Sequence, residues 1–261
     1  MIEIKGVTKS FGEKPVLRGV DLTINTGESI VIIGRSGCGK SVLLKHLIGL
    51  IQPDTGNIII DGEDITQMKE ADLYRMRRNF GVLFQSSALF DSMTVRDNIA
   101  LELEEHTDKP IEEIDQIVAE RLRMVGLPDT EALKPAELSG GMKKRVGLAR
   151  AIAFSPSYVL YDEPTTGLDP IMADIINELI VNLKEKLDVT SIIVTHDMVS
   201  AYKIADRIVM LHRGVIMYDG TPDEIRSTDN EVVRQFIEGQ ADGPIKPVPV
   251  GGPSLRYHRS G

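Results

Sequence analysis

The sequence predicts an α/β fold in which helices flank a mostly parallel β-sheet. Two observations predict it: short apolar segments of strand length recur along the chain, and amphipathic helical segments separate them. Strands that alternate with helices favour parallel pairing with right-handed crossovers. The first third of the chain differs, because alternating apolar residues and frequent glycines there indicate strands joined by turns.

Three apolar runs define the α/β body. Ser29–Ile33 ends at a glycine, and a helical pattern of leucine and isoleucine follows it. Tyr158–Tyr161 and Ser191–Val194 also have the length and composition of buried strands. Between these two, Asp169 and Pro170 have the residue types of an N-cap and a first helical position. The apolar stripe of the helix that follows is expected to contain Ile171, Ile175, Ile176, Leu179, Ile180, Leu183 and Leu187.

A helical stretch interrupts this body at about residues 86–157. Val95–Glu105 and Ile111–Val125 have helical apolar spacing, and a third helix, Met142–Phe154, follows Ser139. We expect the stretch to form a helical subdomain inserted in the α/β body.

The composition changes near the C-terminus, where glycine, proline and polar residues predominate over 241–261. Before it, Val233, Phe236 and Ile237 indicate a short amphipathic helix, and Asp229 is its expected N-cap. We expect the main domain to span 1–240 and the tail to be extended, because its prolines prevent a helix. The tail is either a frayed end or a clasp on a neighbouring subunit. The expected anchors of such a clasp are Ile245, Val248, Val250, Leu255 and Tyr257.

Composition and charge limit the possible classes of function. Apolar residues make up 42% of the 261 residues and charged residues 26%, as in ordinary globular proteins. The 30 basic and 39 acidic residues give a net charge of −9, which argues against a nucleic-acid-binding protein with a broad basic surface. The single cysteine excludes an internal disulfide and fits a reducing compartment. No run approaches the roughly 18 apolar residues of a membrane span, so we expect any membrane role to depend on a partner.

A glycine-rich motif follows the first apolar strand. Residues 34–41, GRSGCGKS, match G-x-x-x-x-G-K-[ST] between a predicted strand and a predicted helix. Glycines let backbone N–H groups turn toward phosphate oxygens, and the helix N-terminus adds partial positive charge. Lys40 can reach the β- and γ-phosphates, the Ser41 hydroxyl can ligate Mg²⁺, and Cys38 is expected to be a small filler residue. The predicted nucleotide loop comprises Gly34, Arg35, Ser36, Gly37, Cys38, Gly39, Lys40, Ser41 and Val42.

Two adjacent carboxylates end the second apolar run. Side chains alternate along a strand, so Asp162 and Glu163 are expected to face in different directions. Asp162 suits the Mg²⁺ shell, and Glu163 suits activation of the water that attacks the γ-phosphate. His196 follows the third apolar run and is therefore expected at the same carboxyl edge of the sheet, where open α/β folds bind ligands.

A second anion-binding helix start is predicted at Ser139, Gly140 and Gly141. Ser139 has the residue type of an N-cap, and two glycines and a helix follow it. This helix start has no phosphate loop of its own. One phosphate loop and one separate anion cap suggest that two chains meet head to tail.

With these residues, the chain resembles the ATPase subunits of ABC transporters over residues 1–240. The resemblance implies a P-loop NTPase fold with an N-terminal antiparallel β-subdomain, and a homodimer that binds and hydrolyses ATP with Mg²⁺. The motifs that carry it are, in chain order, Walker A at 34–41, Gln85 of the Q-loop, the signature LSGGM at 138–142, Walker B at 158–163, the D-loop at 167–169 and the switch residue His196.

The resemblance also implies roles for single residues. Phe11 occupies the position of an aromatic residue, more often tyrosine in the family, that stacks on adenine. Asp169 and the signature residues Ser139, Gly140 and Gly141 are expected to contact nucleotide. The implied catalytic residues are Lys40, Gln85, Glu163 and His196, and the implied Mg²⁺ ligands are Ser41, Gln85 and Asp162.

A narrower resemblance is to the ATPases of MCE-associated lipid transporters of the Mla type. It rests on FQSSALFDSMTV at 84–95 and VRQFIEGQADGP at 233–244. It implies phospholipid transport at the cytoplasmic face of the inner membrane, with integral-membrane permease subunits and an MCE-domain lipid-binding protein. The basic run Arg75, Arg77 and Arg78 is either a solvated helix face or a contact to the permease.

Other classes of function fit the sequence less well. Soluble ABC proteins of DNA repair or translation usually carry a long coiled-coil insert or two cassettes, whereas this chain has one phosphate loop and no long heptad run. A GTPase would need an Asn-Lys-x-Asp motif, and a small-molecule kinase would not need LSGGM. A sugar-importer ATPase would add a large C-terminal domain. Amino-acid import remains the alternative to lipid transport.

Overall fold

The computed structural model describes residues 1–246, which contain ten strands and nine α-helices. The strands are β1 (Ile2–Phe11), β2 (Lys14–Ile24), β3 (Ser29–Ile33), β4 (Thr55–Ile60), β5 (Glu63–Asp64), β6 (Phe80–Leu83), β7 (Tyr158–Asp162), β8 (Thr190–Thr195), β9 (Arg207–His212) and β10 (Val215–Gly220). The helices are α1 (Lys40–Leu47), α2 (Glu70–Arg77), α3 (Val95–His106), α4 (Ile111–Met124), α5 (Gly140–Ala151), α6 (Pro170–Leu187), α7 (Met198–Ile204), α8 (Pro222–Arg226) and α9 (Glu231–Ile237).

Two sheets organise the chain, and they confirm the predicted fold class. The central sheet has the order β10-β9-β3-β8-β7-β6, and every neighbouring pair in it except β9 and β10 is parallel. The second sheet, β2-β1-β4-β5, is antiparallel and forms the N-terminal β-subdomain. Ile33 pairs with Thr195 and Asp162 with Val194, so β3, β7 and β8 end at one edge of the sheet.

The central strands are buried on both faces. In β3, Val31 and Ile33 belong to a core shared with the helices, whereas Ile30 and Ile32 belong to a core shared with the antiparallel sheet. All four side chains are inaccessible to solvent. The continuous apolar run of this strand therefore results from two packed layers, as expected for a parallel sheet covered on both sides.

The predicted helical stretch lies between β6 and β7 and contains α3, α4 and α5. The Thr94 side chain caps α3 in a capping box with Asp97. The Ser139 hydroxyl accepts a hydrogen bond from the Met142 N–H, so α5 begins at Gly140, two residues before the predicted start. Within residues 1–246, none of the helices is long and apolar enough to span a membrane.

One part of the predicted apolar stripe of α6 is wrong. Helix α6 starts at Pro170, and the Asp169 carboxylate accepts hydrogen bonds from two N–H groups of the first turn, as predicted. However, Ile171 is 75% exposed and Ile175 is 38% exposed, whereas Ile176 and Ile180 are buried. With 3.6 residues per turn, the two exposed side chains lie on a different row from the buried pair, more than about 90° around the helix.

The C-terminal part also differs from the prediction. Asn230, not Asp229, caps α9, and its side-chain oxygen accepts hydrogen bonds from the N–H groups of Val232 and Val233 in the first helical turn. The Gln235 amide donates to the Ile245 carbonyl, and its oxygen accepts from the Ile245 N–H. Ile245 is 8% exposed and packs in its own chain's core, so it is not a free anchor for a clasp. The other expected anchors, Val248, Val250, Leu255 and Tyr257, lie outside the described residues.

The cap of α9 gives a prediction about stability. Asn230→Ala removes the acceptor for two N–H groups and should lower the free energy of unfolding by about 1 kcal/mol. Asp229→Ala is the matched control and should change it by less than about 0.5 kcal/mol. Urea unfolding of both variants measures the difference. Equal effects of the two substitutions would contradict the assignment of the cap.

Candidate nucleotide site

A cavity of about 700 Å³ opens at the edge where β3, β7 and β8 end. The phosphate loop between β3 and α1 forms one side of it, and residues that follow β6, β7 and β8 form another. The antiparallel subdomain and α9 supply the remaining walls. The cavity is lined by Phe11, Lys14, Val16, Arg35, Ser36, Gly37, Gly39, Lys40, Ser41, Val42, Gln85, Glu163, His196 and Phe236.

The phosphate loop depends on a glycine immediately before α1. Gly39 has a φ of 114°, which L side chains rarely adopt, and a Cβ there would lie 2.9 Å from the Leu17 side chain. Lys40 begins α1 and is 6% exposed. Its ammonium donates to the Gly34 carbonyl at 2.7 Å and lies 3.5 Å from a Glu163 carboxylate oxygen. The lysine charge is therefore held over the loop and next to the carboxylate.

Ser41 and Asp162 form a pair of oxygen donors beside the loop. The Ser41 hydroxyl donates to the Asp162 carboxylate at 3.0 Å. Burial raises the pKa of Asp162 above its usual value, and the Ser41 hydrogen bond opposes that shift. A hydroxyl and a carboxylate are hard ligands of the kind that Mg²⁺ prefers. The residues present therefore fit a magnesium ion at this position.

The Asp162 and Glu163 side chains point in different directions, as predicted, but the cause is not the alternation of side chains along a strand. Strand β7 ends at Asp162, and Glu163 has a φ of 51°, in the left-handed region. The backbone turn, rather than alternation along a strand, therefore separates the two carboxylates. A non-glycine residue in this region is strained by about 1–3 kcal/mol, and such strain often occurs at functional sites.

Four neighbouring side chains orient the Glu163 carboxylate, and one of them is Thr195, whose hydroxyl donates to the Oε2 atom at 3.5 Å. The His196 Nδ1 lies 2.8 Å from the Oε2 atom, and the Thr166 hydroxyl donates to the same oxygen at 3.2 Å. The other oxygen faces the Lys40 ammonium. Glu163 is only 9% exposed, so its carboxylate is held in one place at the wall of the cavity.

The remaining predicted site residues fall into two groups. Phe11 is 50% exposed at the cavity, with the Lys9 ammonium 5.8 Å from its ring centre. Gly34, Cys38 and Asp162 lie outside the residues that line the cavity, and burial raises the pKa of the Cys38 thiol, which fits a filler residue. Within residues 1–246, the cavity is also not lined by Ser139, Gly140, Gly141 or Asp169.

The structure adds residues that the sequence analysis missed. Lys14, Val16 and Phe236 line the cavity together with the predicted residues. Lys144 is 5% exposed, and its ammonium donates to the Gln85 carbonyl at 2.5 Å and to the Glu163 carbonyl at 3.4 Å. Burial lowers the pKa of this lysine, and the nearby carboxylates oppose the shift. Lys144 is buried on α5 among apolar residues, and a lysine inside the apolar pattern of this predicted helix is the signal that could have identified it.

Comparison with known families identifies the architecture. The family model described as ABC transporter matches residues 17–166, more than half of the chain. The chain belongs to the ABC transporter family. The chain is accordingly an ABC ATPase, a protein that binds and hydrolyses ATP.

Several characterised or named proteins are similar to this ABC ATPase. It is 47% identical over 244 residues to the "Probable ribonucleotide transport ATP-binding protein mkl" of Mycobacterium tuberculosis, covering 94% of this chain and 68% of that protein. It is 40% identical over 246 residues to the "Intermembrane phospholipid transport system ATP-binding protein MlaF" of Haemophilus influenzae, and the match covers 94% of this chain and 93% of that protein. For MlaF of Escherichia coli K12 the identity is 39% over 258 residues, and the match covers 99% of this chain and 95% of that protein.

Solved structures of ATP-binding cassettes have the same fold. The dimeric structure of a bacterial ABC transporter cassette superimposes with a TM-score of 0.79 at 33% identity, covering 85% of this chain and 99% of that one. A dimeric post-hydrolysis state bound to ADP and phosphate gives a TM-score of 0.78 at the same identity and coverage.

The orientation of Glu163 gives a prediction about this ABC ATPase. Glu163→Gln keeps the size of the side chain but removes the carboxylate that we expect to act as the base, so ATP hydrolysis should fall at least roughly a hundredfold. ATP binding should persist, because Lys40 and the phosphate loop are unchanged. Steady-state phosphate release and equilibrium binding of labelled ATP measure the two effects.

A matched control is Glu185→Gln, which changes an exposed carboxylate on α6 and should leave hydrolysis unchanged. Near-normal turnover of the Glu163→Gln variant would show that Glu163 is not the base.

Proposed function

We propose that this ABC ATPase powers a transporter that moves phospholipid through a membrane permease. It works at the cytoplasmic face of the inner membrane, attached to the permease and associated with an MCE-domain lipid-binding protein. The observation that carries the ATPase role is the convergence of Lys40, Glu163 and His196 on one cavity. The lipid assignment is supported by similarity to the MlaF proteins over 93–95% of their length.

The identity of the transported substrate has a second candidate. The mkl proteins are more similar, at 47% identity, and carry a name that refers to ribonucleotides. They are also longer, since the match covers 68–70% of them, whereas the MlaF proteins match nearly end to end. We therefore favour phospholipid over ribonucleotide, and both over amino-acid import.

The side chains around the cavity have separate tasks in hydrolysis. Lys40 compensates the charge of the β- and γ-phosphates. Glu163 accepts a proton from the attacking water, and the contacts of its Oε2 atom with His196 and Thr166 hold the carboxylate in place. Phe11, which also lines the cavity, offers an aromatic face for adenine.

A magnesium ion completes the proposed site. Ser41 and Asp162 would hold it, and Gln85, which lines the cavity together with Ser41, would be a third oxygen ligand. When bound, Mg²⁺ supplies positive charge that stabilises the phosphate oxygens as negative charge shifts among them.

We further propose that two chains form two composite nucleotide sites. The signature residues Ser139, Gly140 and Gly141 do not line the cavity of their own chain within residues 1–246, although Ser139 caps a helix N-terminus suited to an anion. Ile171 and Val199, 75% and 74% exposed, place apolar surface beside the D-loop, as expected for a face that a second copy covers. The similar cassettes were solved as dimers.

A groove beside α2 and α3 of this chain is a candidate docking site for the permease. A cavity of about 600 Å³ there is lined by Tyr74, Phe84 and Phe90, each at least 38% exposed. Phe84 directly precedes Gln85, so one loop borders both this groove and the nucleotide cavity. Of the basic residues considered above, Arg77 is partly structural, because it donates to carbonyls of residues 48 and 49.

Composite sites predict an asymmetric result in mixed dimers. In a Glu163→Gln background that slows hydrolysis, one chain carries Lys40→Ala and the other Ser139→Arg. Both lesions then fall in one site, and the other site keeps an intact Lys40 and Ser139. Each dimer should trap one ATP, as counted by labelled nucleotide after gel filtration.

The matched control places both substitutions on the same chain and leaves its partner intact. Each composite site then has one lesion, so no nucleotide should be trapped. If both arrangements trap the same number of nucleotides, the sites are not shared between chains.

The lipid assignment predicts the composition and activity of the complex. The tagged full-length chain, purified from membranes in mild detergent, should carry a permease and an MCE-domain protein, identified by mass spectrometry. The complex in vesicles should move fluorescent phospholipid with ATP, and the Glu163→Gln complex should not. ATP-driven uptake of ribonucleotides or amino acids without lipid movement would overturn the lipid assignment while leaving the ATPase role intact.

A further inference from the structure

A buried lysine joins three catalytic segments of this ATPase. Lys144 lies on α5, the helix that begins at the signature motif, and is 5% exposed. Its ammonium donates to the backbone carbonyls of Gln85 and Glu163 at 2.5 and 3.4 Å. One side chain of the helical subdomain therefore reaches both the Q-loop and the segment that follows β7.

The same helix also holds the two residues at 87 and 88, shortly after Gln85. Arg150 donates to the carbonyls of Ser87 and Ala88 at 2.8 and 2.7 Å. Ser87 and Ala88 have φ values of 63° and 45°, so the loop takes a strained left-handed path here. Gly147 lies between Lys144 and Arg150 in the sequence and lets α5 approach the loop closely. A Cβ at this position would lie 2.8 Å from the Leu83 side chain and 3.3 Å from the Ser87 side chain.

The Lys144 ammonium has a distinct task within this contact. Arg150 holds the far end of the loop, whereas the Lys144 bond acts on the residue whose side chain lines the nucleotide cavity. The bond of Lys144 to Glu163 uses the backbone carbonyl, so the Glu163 carboxylate stays free for His196. A buried cation satisfied by two carbonyls and placed near two carboxylates costs more to remove than a surface lysine.

We propose that Lys144 is a positioning residue for ATP hydrolysis: it holds the backbone of Gln85 against that of Glu163, so the Gln85 side chain is aimed into the nucleotide cavity. It touches neither the nucleotide loop nor the base's carboxylate, and acts through Gln85. The inference rests on the proposed ATPase role of the site but not on the transported substrate.

The test separates catalytic rate from nucleotide affinity in the purified full-length chain. Lys144→Met keeps the length of the side chain and removes its donors and charge. Its kcat should fall roughly ten- to a hundredfold, the range expected when a reacting group is slightly misplaced. KM for ATP should stay within about twofold, because the phosphate loop and Phe11 are unchanged. Lys144→Arg, which keeps a cationic donor, should restore at least about half of the wild-type kcat.

Two controls separate positioning from a general effect on the fold. Lys143→Met changes the neighbouring lysine, which is partly exposed and has no hydrogen bond to residues 84–88 in the described chain, so it should behave as the wild type. In a Gln85→Ala background, Lys144→Met should cost less than about threefold in kcat, because the group it positions is already absent.

Several results would overturn the inference. Wild-type kcat in Lys144→Met would do so, and so would full additivity with Gln85→Ala. If Lys144→Met weakened ATP binding as much as it lowered kcat, Lys144 would have a merely structural role. The same conclusion would follow if Lys144→Arg lowered kcat as much as Lys144→Met does. Lack of ATP hydrolysis by the wild-type chain would instead contradict the proposed function of the site.

Discussion

Parallel pairing of β3, β8 and β7 is the constraint on which the site depends. Parallel strands place successive carboxyl ends at the same edge, and the register Ile33–Thr195 and Asp162–Val194 brings three chain segments to that edge. The phosphate loop, Glu163 and His196 come from those segments, more than a hundred residues apart in sequence at the extremes. The strands are buried in two cores, so a one-residue shift of register would move each side chain into the other core and disrupt the packing of both.

Buried charge is balanced around this edge. Lys40, Lys144 and Glu163 are each less than 10% exposed, and the Asp162 carboxylate accepts a hydrogen bond from the Ser41 hydroxyl. Lys40 faces the Glu163 carboxylate, whereas Lys144 uses the backbone carbonyl of the same residue. Removing one partner from such a set leaves an uncompensated buried charge, which costs more than losing a surface ion pair. The charges therefore restrict where the loops can sit as well as what they bind.

The sequence predicted the fold and the groups that form local patterns, because those patterns depend on spacing within one segment. The phosphate loop, Asp169 as a helix cap and the buried strands are of this kind. Phe236 and Lys144 were missed because their contacts join segments far apart in the chain. Ile171 was assigned to the core because apolar spacing does not tell a covered row from a row that faces solvent or a partner.

Helix α5 connects the signature motif with the Q-loop. Its N-terminus carries Ser139, proposed to act on the nucleotide of a second chain, and four residues beyond Gly140 it carries Lys144, which bonds the Q-loop of its own chain. Helix α5 has 12 residues and bonds the Q-loop through Lys144, so a rigid displacement of this helix would move the Q-loop and the signature motif together. The groove proposed for the permease borders the same loop. In the proposed function, closure of the composite sites and movement of the permease would be linked through this helix and the side chains of Lys144 and Arg150.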